Sequence, residues 1–320
     1  MALTQVDAGL LNPTNAQYTG FKNRIINGAM AIDQRNAGAS YTATTGGLRY
    51  GVDRWFIYCL GANLTGQQVA GTNTGTSKAF RITGATGSTG LNFGQRIESL
   101  NTSDLASQTV TVTAKIYCST AVSGAAVYAL CPTAQDNYAS TTSSFSTSIT
   151  LNSGLNTISV TGALNSNAVN GVELGISFGN GLGNGVTVDV SSIQLEKGST
   201  ATSFDYRPYG TELALCERYF QTSYDIGVAV GAVSSSGATL QTVAGTNYTV
   251  FQPYRVRMRT DSTVTTYSPA TGASGKVYNS SGSADVTATV NQTGQAGFSW
   301  YPTIGTALNI NAHWAANSEL

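Results

Sequence analysis

The sequence predicts an all-β protein: two antiparallel β-sandwich domains joined by a short helical segment and preceded by an extended N-terminal arm. Two observations support this prediction. Apolar residues recur at every second position, and glycine, serine and asparagine separate these runs, with glycine alone contributing 36 of 320 residues. Hydrophobic residues make up 41% of the chain, which is enough for packed cores and excludes a disordered protein.

The alternating runs divide the chain into four segments. Residues 1 to 20 have no strand or helix period and form an arm that we expect to become ordered on a partner surface. The first sandwich covers residues 21 to 208 and the second covers residues 222 to 320. Between them, residues 209 to 221 are predicted to form a helical linker.

Period-two alternation is clearest in the first sandwich. Thr109 to Cys118 places its apolar side chains on one face, and residues 172 to 178 and 186 to 190 follow the same pattern. After Val190 the apolar phase slips at residues 191 to 192, which predicts a β-bulge.

One run, Trp55 to Leu60, is apolar on both faces. It is predicted to lie either at the centre of a sandwich or beneath another chain, with Trp55 in the core.

The four cysteines are far apart and lack the paired spacing of a zinc site. We expect reduced, buried thiols. Cys118 and Cys131 fit neighbouring strands that could be bridged, but a hairpin with two apolar thiols explains them equally well. The cysteines are Cys59, Cys118, Cys131 and Cys216.

Charge is scarce and balanced. Charged residues make up 10% of the chain, against a usual ~25%, and 16 basic residues match 16 acidic ones. Nucleic acid is therefore not an expected partner, because a phosphate-binding surface needs an excess of basic side chains. We expect no secretory signal and no membrane insertion, since no basic start and no apolar run of ~20 residues is found.

Catalytic motifs are poorly supported. His313 is the single histidine, and its position in the strand run opposite Ile310 and Trp314 predicts a solvent-facing side chain. The glycine-rich stretch 179 to 185 leads into a strand instead of a helix, so it is interpreted as a hairpin loop and not a phosphate loop. We expect no enzyme activity, no cofactor and no metal.

Arginine recurs in one strand-like run. Arg255, Arg257 and Arg259 occupy every second position and are predicted to share one strand face. They are either a solvated face with Asp261 and Asp285 as charge partners, or a subunit-contact or anion-binding stripe. Because the chain has no wider basic field, we favour the subunit contact.

Two aromatic residues are candidates for glycan binding. Trp300 and Tyr301 follow a turn-rich segment and are placed to stack on sugar rings if they lie at an exposed strand end. A buried aromatic pair is the alternative interpretation.

The linker helix offers a candidate trimer seam. Thr211 is expected to cap it, and Glu212 to lie in its first turn. Leu213, Cys216 and Phe220 fall on one stripe, which is narrow for a monomeric face and sufficient for a three-chain seam.

Several blocks resemble bacteriophage and prophage tail-fibre proteins. Asn23 to Arg35 (NRIINGAMAIDQR), followed by Asp53-Arg54-Trp55, is similar to the opening of a domain found in those proteins. Blocks between Gln194 and Phe220 resemble the end of that domain and its exit. Ala312 to Leu320 is similar to the ending of many such proteins.

The resemblance implies a carbohydrate-binding-module-like jelly roll in the first domain, homotrimeric assembly and a place on the virion surface. It implies a structural role for Asp53-Arg54-Trp55 as an anchor of the first sandwich and for Arg207-Pro208-Tyr209 as its exit. It provides no catalytic residues.

These observations lead to one expected function and two alternatives. The expected function is a structural virion protein, a short tail fibre or tail-tip component that contacts host surface glycans. It would fold in the host bacterial cytoplasm and attach to tail or capsid proteins through its arm. The alternatives are a capsid head fibre or decoration protein, and a polysaccharide depolymerase, although the short alternating strands do not favour the parallel β-helix of such an enzyme.

Overall fold

The computed structural model describes residues 22–243, 249–303 and 308–320, and most of the regular structure in them is β-strand. The predicted all-β fold class with antiparallel sandwich sheets is confirmed. The predicted arm, residues 1 to 20, lies outside the described residues. Within the described ranges, no helix combines the length and apolar character needed to cross a membrane.

The first domain is a sandwich of two six-stranded antiparallel sheets. Its strands are β1 (Tyr41–Ala43), β2 (Leu48–Tyr50), β3 (Phe56–Leu60), β4 (Leu64–Ala70), β5 (Lys78–Thr83), β6 (Gly90–Glu98), β7 (Thr109–Cys118), β8 (Ala125–Ala134), β9 (Asn137–Ser148), β10 (Gly154–Ala163), β11 (Gly171–Phe178) and β12 (Thr187–Lys197). One sheet has the order β1-β4-β5-β12-β7-β10, and the other has the order β2-β3-β6-β11-β8-β9.

Alternation places the apolar faces of the two sheets against each other. The predicted inward residues of β7, from Val110 to Cys118, are all buried in the first core. Trp55 lies in the same core and stacks on Phe93 with ring centroids 4.8 Å apart. The predicted bulge is also confirmed, because the β12–β7 register shifts between Ser191 and Gln194.

All four cysteines are free and buried. Cys118 lies in β7 and Cys131 in β8, and these strands belong to opposite sheets. The prediction that the two could occupy neighbouring strands is therefore wrong, since the chain crosses from one sheet to the other between them.

The second domain is an eight-stranded antiparallel sheet whose strands contribute to one apolar core. Its strands are β13 (Phe220–Thr222), β14 (Thr239–Val243), β15 (Val250–Pro253), β16 (Thr263–Tyr267), β17 (Lys276–Asn279), β18 (Ala284–Asn291), β19 (Gly297–Pro302) and β20 (Leu308–Asn317). The long strand β20 organises this domain, because β13, β14, β16 and β17 all pair with it.

The linker contains one helix, α1 (Tyr209–Glu217). It begins earlier than predicted, after Pro208, and the Glu212 amide already donates to the Pro208 carbonyl at 3.1 Å. Thr211 is therefore inside the first turn and is not the cap. Glu212 lies in that turn as predicted, where its carboxylate accepts a hydrogen bond from Arg207 at 3.2 Å.

The apolar stripe of the linker faces the inside of the chain. Cys216 is fully buried in a cluster with Ile26 and Ile32, Leu213 packs against the same cluster, and Phe220 in β13 is only 5% exposed. This corrects the prediction of a trimer seam at Leu213, Cys216 and Phe220. The segment that precedes the first sandwich supplies the apolar partner within one chain.

Candidate functional site

A cleft of about 500 Å³ lies between the two domains, beside α1. Its walls come from three separate parts of the chain: residues 31–37 with side chains from β4 and β5, the helix α1, and residues 222–227 with Arg255. Concave sites of this size at domain boundaries are where proteins commonly bind small or oligomeric ligands. The cleft is therefore the candidate functional site.

The wall from the first domain is fixed by hydrogen bonds. Asp33 accepts from the backbone amides of Asn36 (3.0 Å) and Gly38 (2.8 Å), one on each carboxylate oxygen, which holds the loop in shape. Burial raises the pKa of the Asp33 carboxyl, and these two amides partly oppose the rise. Gln34 donates to Asp53 at 2.6 Å and to the Phe220 carbonyl at 2.9 Å, which ties the loop to both domains.

The Gln68 side chain of β4 forms part of the same wall. Gln68 donates from Nε2 to the Met30 carbonyl at 2.7 Å, and this bond fixes its amide plane. Within the described ranges its Oε1 atom makes no hydrogen bond, so an acceptor is available to a ligand in the cleft.

The opposite wall carries an ion pair. Arg255 donates to the Glu217 carboxylate at 2.9 Å and to the Thr222 carbonyl at 2.8 Å. Burial raises the pKa of Glu217, and the Arg255 charge acts against that rise. Tyr224, which also lines the cleft, is buried and stacks on His313 with ring centroids 3.8 Å apart.

Besides the paired Arg255 and the apolar Ile226, three side chains at the cleft are open to solvent. Tyr209, the first residue of α1, is 48% exposed, and Lys78 and Asp225 are also exposed. Neither Lys78 nor Asp225 has a salt-bridge partner in the part of the chain that the structure describes. The cleft thus combines a phenol ring with a free donor, a free carboxylate and a carboxamide acceptor, a set that suits a ligand rich in hydroxyl groups.

Two of the three carboxylates that line the cleft are held by other groups of the chain. The Asp33 oxygens accept loop amides and the Glu217 carboxylate is paired with Arg255, so both groups have structural partners. The described residues contain no group of three or more His, Cys, Asp or Glu that could hold a metal ion. The arrangement is suited to binding.

His313 does not face solvent, contrary to the prediction. It is fully buried, its Nδ1 accepts from the Ser223 hydroxyl at 2.9 Å, and its Nε2 donates to the Ser234 carbonyl at 3.0 Å. Residues 223–234 cover the strand face that the alternation pattern had assigned to water. Burial lowers the pKa of His313.

The predicted glycan-binding residues lie elsewhere. Trp300 is 1% exposed in the core of the second domain, so it cannot stack on a sugar, and this prediction is wrong. The alternation of β19 puts Trp300 on its inward face, against Val250 and Val290 of the paired strands. Tyr301 is partly exposed on β19 and does not line the cleft.

The arginine run is not a strand ladder. β15 ends at Pro253, and the following backbone amides bond to different segments: Tyr254 to Ala296 and Arg259 to Arg218. This corrects the prediction that Arg255, Arg257 and Arg259 share a strand face.

The three arginines also have different partners from those predicted. Arg255 pairs with Glu217, and Arg259 donates to the Ser318 and Glu319 carbonyls at 2.9 and 3.3 Å. Asp285 accepts hydroxyl hydrogen bonds from Ser268 and Thr271 and so is not their charge partner. Arg257 is exposed, with no partner in the described residues.

The residues expected to anchor the first sandwich are buried. Asp53, Arg54 and Trp55 are each 1% exposed, and the Trp55 indole donates to the Asn27 carbonyl at 2.9 Å. Arg207, expected at the exit, donates to the Ile25 carbonyl at 2.8 Å.

Sequence reasoning missed the residues that build the cleft. Asp33 and Tyr209 lie in the blocks that resemble tail-fibre proteins, but the sequence analysis assigned no binding role to either residue. Gln68, Lys78 and Asp225 belong to no motif, and only their proximity in the folded chain reveals them.

No protein-family model matches the chain, and no curated protein matches it either. Among solved structures, it is similar to the enzymatically active domain of tailspike protein 4 of bacteriophage CBA120, with 12% identity and a TM-score of 0.36, over 55% of this chain and 22% of the tailspike chain. A CBM4 carbohydrate-binding module matches with 18% identity and a TM-score of 0.35, over 54% of this chain and 98% of its own.

The family 11 carbohydrate-binding module of Clostridium thermocellum, in complex with a mixed-linked tetrasaccharide, matches with 16% identity and a TM-score of 0.34, over 53% of this chain and 99% of the module. None of these three TM-scores reaches 0.5, so the likenesses carry no argument about function.

Proposed function

We propose that this chain is a glycan-binding structural protein of a bacteriophage virion, a short tail fibre or tail-tip component. The cleft between its domains binds host surface glycans. The observation that carries the binding role is the open set of groups at this cleft: the exposed Tyr209 ring, the Lys78 ammonium, the Asp225 carboxylate and the free Gln68 oxygen.

The chemistry of a sugar ring matches this set. A pyranose presents an apolar face of C–H groups that packs on an aromatic ring, and a rim of hydroxyls that both donate and accept hydrogen bonds. Tyr209 offers the ring, Lys78 donates, and Asp225 and Gln68 accept. Because Asp33 and Glu217 are held by structural partners, the proposal is binding without hydrolysis.

The virion role is supported by a different feature, the resemblance of residues 23–35, of the blocks between Gln194 and Phe220 and of residues 312–320 to tail-fibre proteins. We propose a homotrimer as its assembled form. Three copies would present three clefts to one cell surface, and simultaneous engagement would raise the overall avidity well above the affinity of a single cleft.

The test is a binding screen against an array of bacterial surface polysaccharides, followed by calorimetry with a polysaccharide that binds. Tyr209→Ala should weaken binding about tenfold, equal to about 1.4 kcal/mol, since it removes the exposed ring. Tyr301→Ala is the matched control, because it removes a partly exposed tyrosine outside the cleft.

Three results would contradict the proposal. If the parent protein binds no polysaccharide, the glycan role is wrong. If Tyr301→Ala weakens binding and Tyr209→Ala does not, the site lies on the second domain. Release of new reducing ends from the bound polysaccharide would point to a depolymerase instead.

A further inference from the structure

A second, smaller cleft of about 120 Å³ adjoins the first. Ala31 and Tyr209 line both clefts, and the consecutive residues Ser77 and Lys78 belong to one cleft each. The two clefts are therefore adjacent, with Ala31 and Tyr209 at their junction, and the short Ala31 side chain adds little bulk there.

An aromatic pair lies at the second cleft, and one of its two rings is exposed. Tyr206 is 64% exposed, and it meets Phe204 edge-on with ring centroids 4.6 Å apart and an interplanar angle of 75°. This contact orients the Tyr206 ring before any ligand arrives, which reduces the entropy that binding must overcome. Tyr206 and Tyr209 are three residues apart and provide a ring at each cleft.

Polar groups at the second cleft are also fixed in place. Asp205 accepts from the Lys22 and Asn23 amides at 2.9 and 3.3 Å, both on the same carboxylate oxygen. Its other oxygen makes no hydrogen bond within the described ranges, and the Ser77 hydroxyl is exposed. Like the first cleft, the second thus combines an aromatic ring with an acceptor, and it has a hydroxyl where the first cleft has an ammonium group.

We infer that the two clefts form one continuous groove for an internal segment of a linear polysaccharide, with Tyr209 between the two halves and Tyr206 beside the second. This inference rests on the proposed function. The clefts are separate volumes of about 500 and 120 Å³, so a single sugar ring would occupy one of them, whereas a chain of linked rings can extend through both. The groove therefore selects a polymer over a terminal sugar.

The charge of the groove further limits which class of polysaccharide can bind. Within the described residues, the charged groups of the groove that have no salt-bridge partner are Lys78 and three carboxylates, so acidic groups outnumber basic ones. The carboxylates are Asp33 and Asp225 in the first cleft and Asp205 in the second. Arg255 is neutralised by Glu217 and Arg207 lies beside Glu212. Such a groove repels a polyanion, and the favoured ligand is an uncharged linear polysaccharide.

The experiment is a length series. A neutral polysaccharide that binds on the array is cut by mild acid, and the fragments are separated by size from the disaccharide upward and titrated into the full chain by calorimetry. Affinity should rise with fragment length and then level off once both clefts are filled. Tyr206→Ala should lower the affinity for long fragments about tenfold and leave the affinity for the shortest binding fragment unchanged.

Phe251→Ala is the matched control, because Phe251 is 61% exposed, close to the 64% of Tyr206, and lines neither cleft. It should leave every affinity unchanged. If Tyr209→Ala weakens all fragments while Tyr206→Ala weakens none, the groove inference is overturned and the proposed function stands. If only acidic polysaccharides bind, the charge argument is overturned. If the parent binds no fragment and no polysaccharide, the proposed function fails together with this inference.

Discussion

The Arg35 guanidinium lies 3.0 Å from the Glu319 carboxylate, whose second oxygen is paired with Arg54. This one carboxylate therefore joins two arginines of the first domain to the segment after β20. The same guanidinium groups cover consecutive rings after α1: Arg35 lies 3.7 Å from the Phe220 centroid and Arg54 lies 3.4 Å from that of Tyr219. The two domains are thus held together by charge and aromatic contacts beside the cleft.

Removing the shared carboxylate should destabilise the protein. Glu319→Gln removes the carboxylate that pairs with the buried Arg54 and the half-buried Arg35, and we expect the free energy of unfolding to fall by on the order of 3 kcal/mol in urea titrations. Asp104→Asn is the matched control, since its pair with Arg24 is solvent-accessible, with exposures of 28% and 49%, and should change stability by less than about 1 kcal/mol. Equal effects of the two variants would contradict this account of the junction.

His313 should make stability depend on pH. Burial lowers its pKa in the folded state, so the unfolded chain takes up a proton first as the pH falls below the ordinary value of 6.5. The contribution of neutral His313 is therefore complete above pH 6.5 and is lost as the pH falls through the lower, folded-state pKa. Unfolding titrations from pH 8 to pH 5 should show a steeper acid loss for the parent than for His313→Gln.

Burial raises the pKa of Asp53 to about 7, and this acts in the opposite direction. Its contribution to stability is complete below its ordinary pKa of 3.8 and is lost as the pH rises through about 7. The comparison with His313→Gln is needed for this reason, because only the difference between the two proteins isolates the histidine. Parallel pH profiles would contradict the assignment.

Arg257 is the residue on which the subunit-contact hypothesis now depends, since Arg255 and Arg259 bond within the chain. Light scattering should give a particle of three times 33.1 kDa, and Arg257→Ala should lower the melting temperature of that trimer without changing glycan binding. Arg255→Ala, by contrast, should weaken glycan binding, because Arg255 lines the cleft. A monomer at micromolar concentration would contradict the trimer.

The arm gives a prediction about attachment. Deleting residues 2 to 18 should leave the unfolding transition of the rest of the chain unchanged, because residues 1 to 20 have no strand or helix period in their sequence. It should abolish incorporation into virus particles, measured by immunoblotting of purified virions. Full occupancy by the truncated protein would place the anchor elsewhere.

Local patterns determined a large part of the fold. The alternation in β7, the register slip at residues 191–192 and the position of Glu212 in the first turn of α1 were predicted from sequence and confirmed. Each depends on residues a few positions apart, where strand pleat and helix-end geometry dictate which side chain points inward.

The cleft and the burial of individual side chains were decided by the tertiary structure. Sequence analysis placed His313 on a solvent-facing strand face and Trp300 at an exposed strand end, but residues 223–234 cover the histidine and the sheet of the second domain encloses the tryptophan. Asp33, Lys78 and Asp225 meet at one cleft although long stretches of sequence separate them. A period-two pattern fixes which residues share a face of a strand, whereas what lies against that face depends on contacts between distant segments, which no local pattern contains.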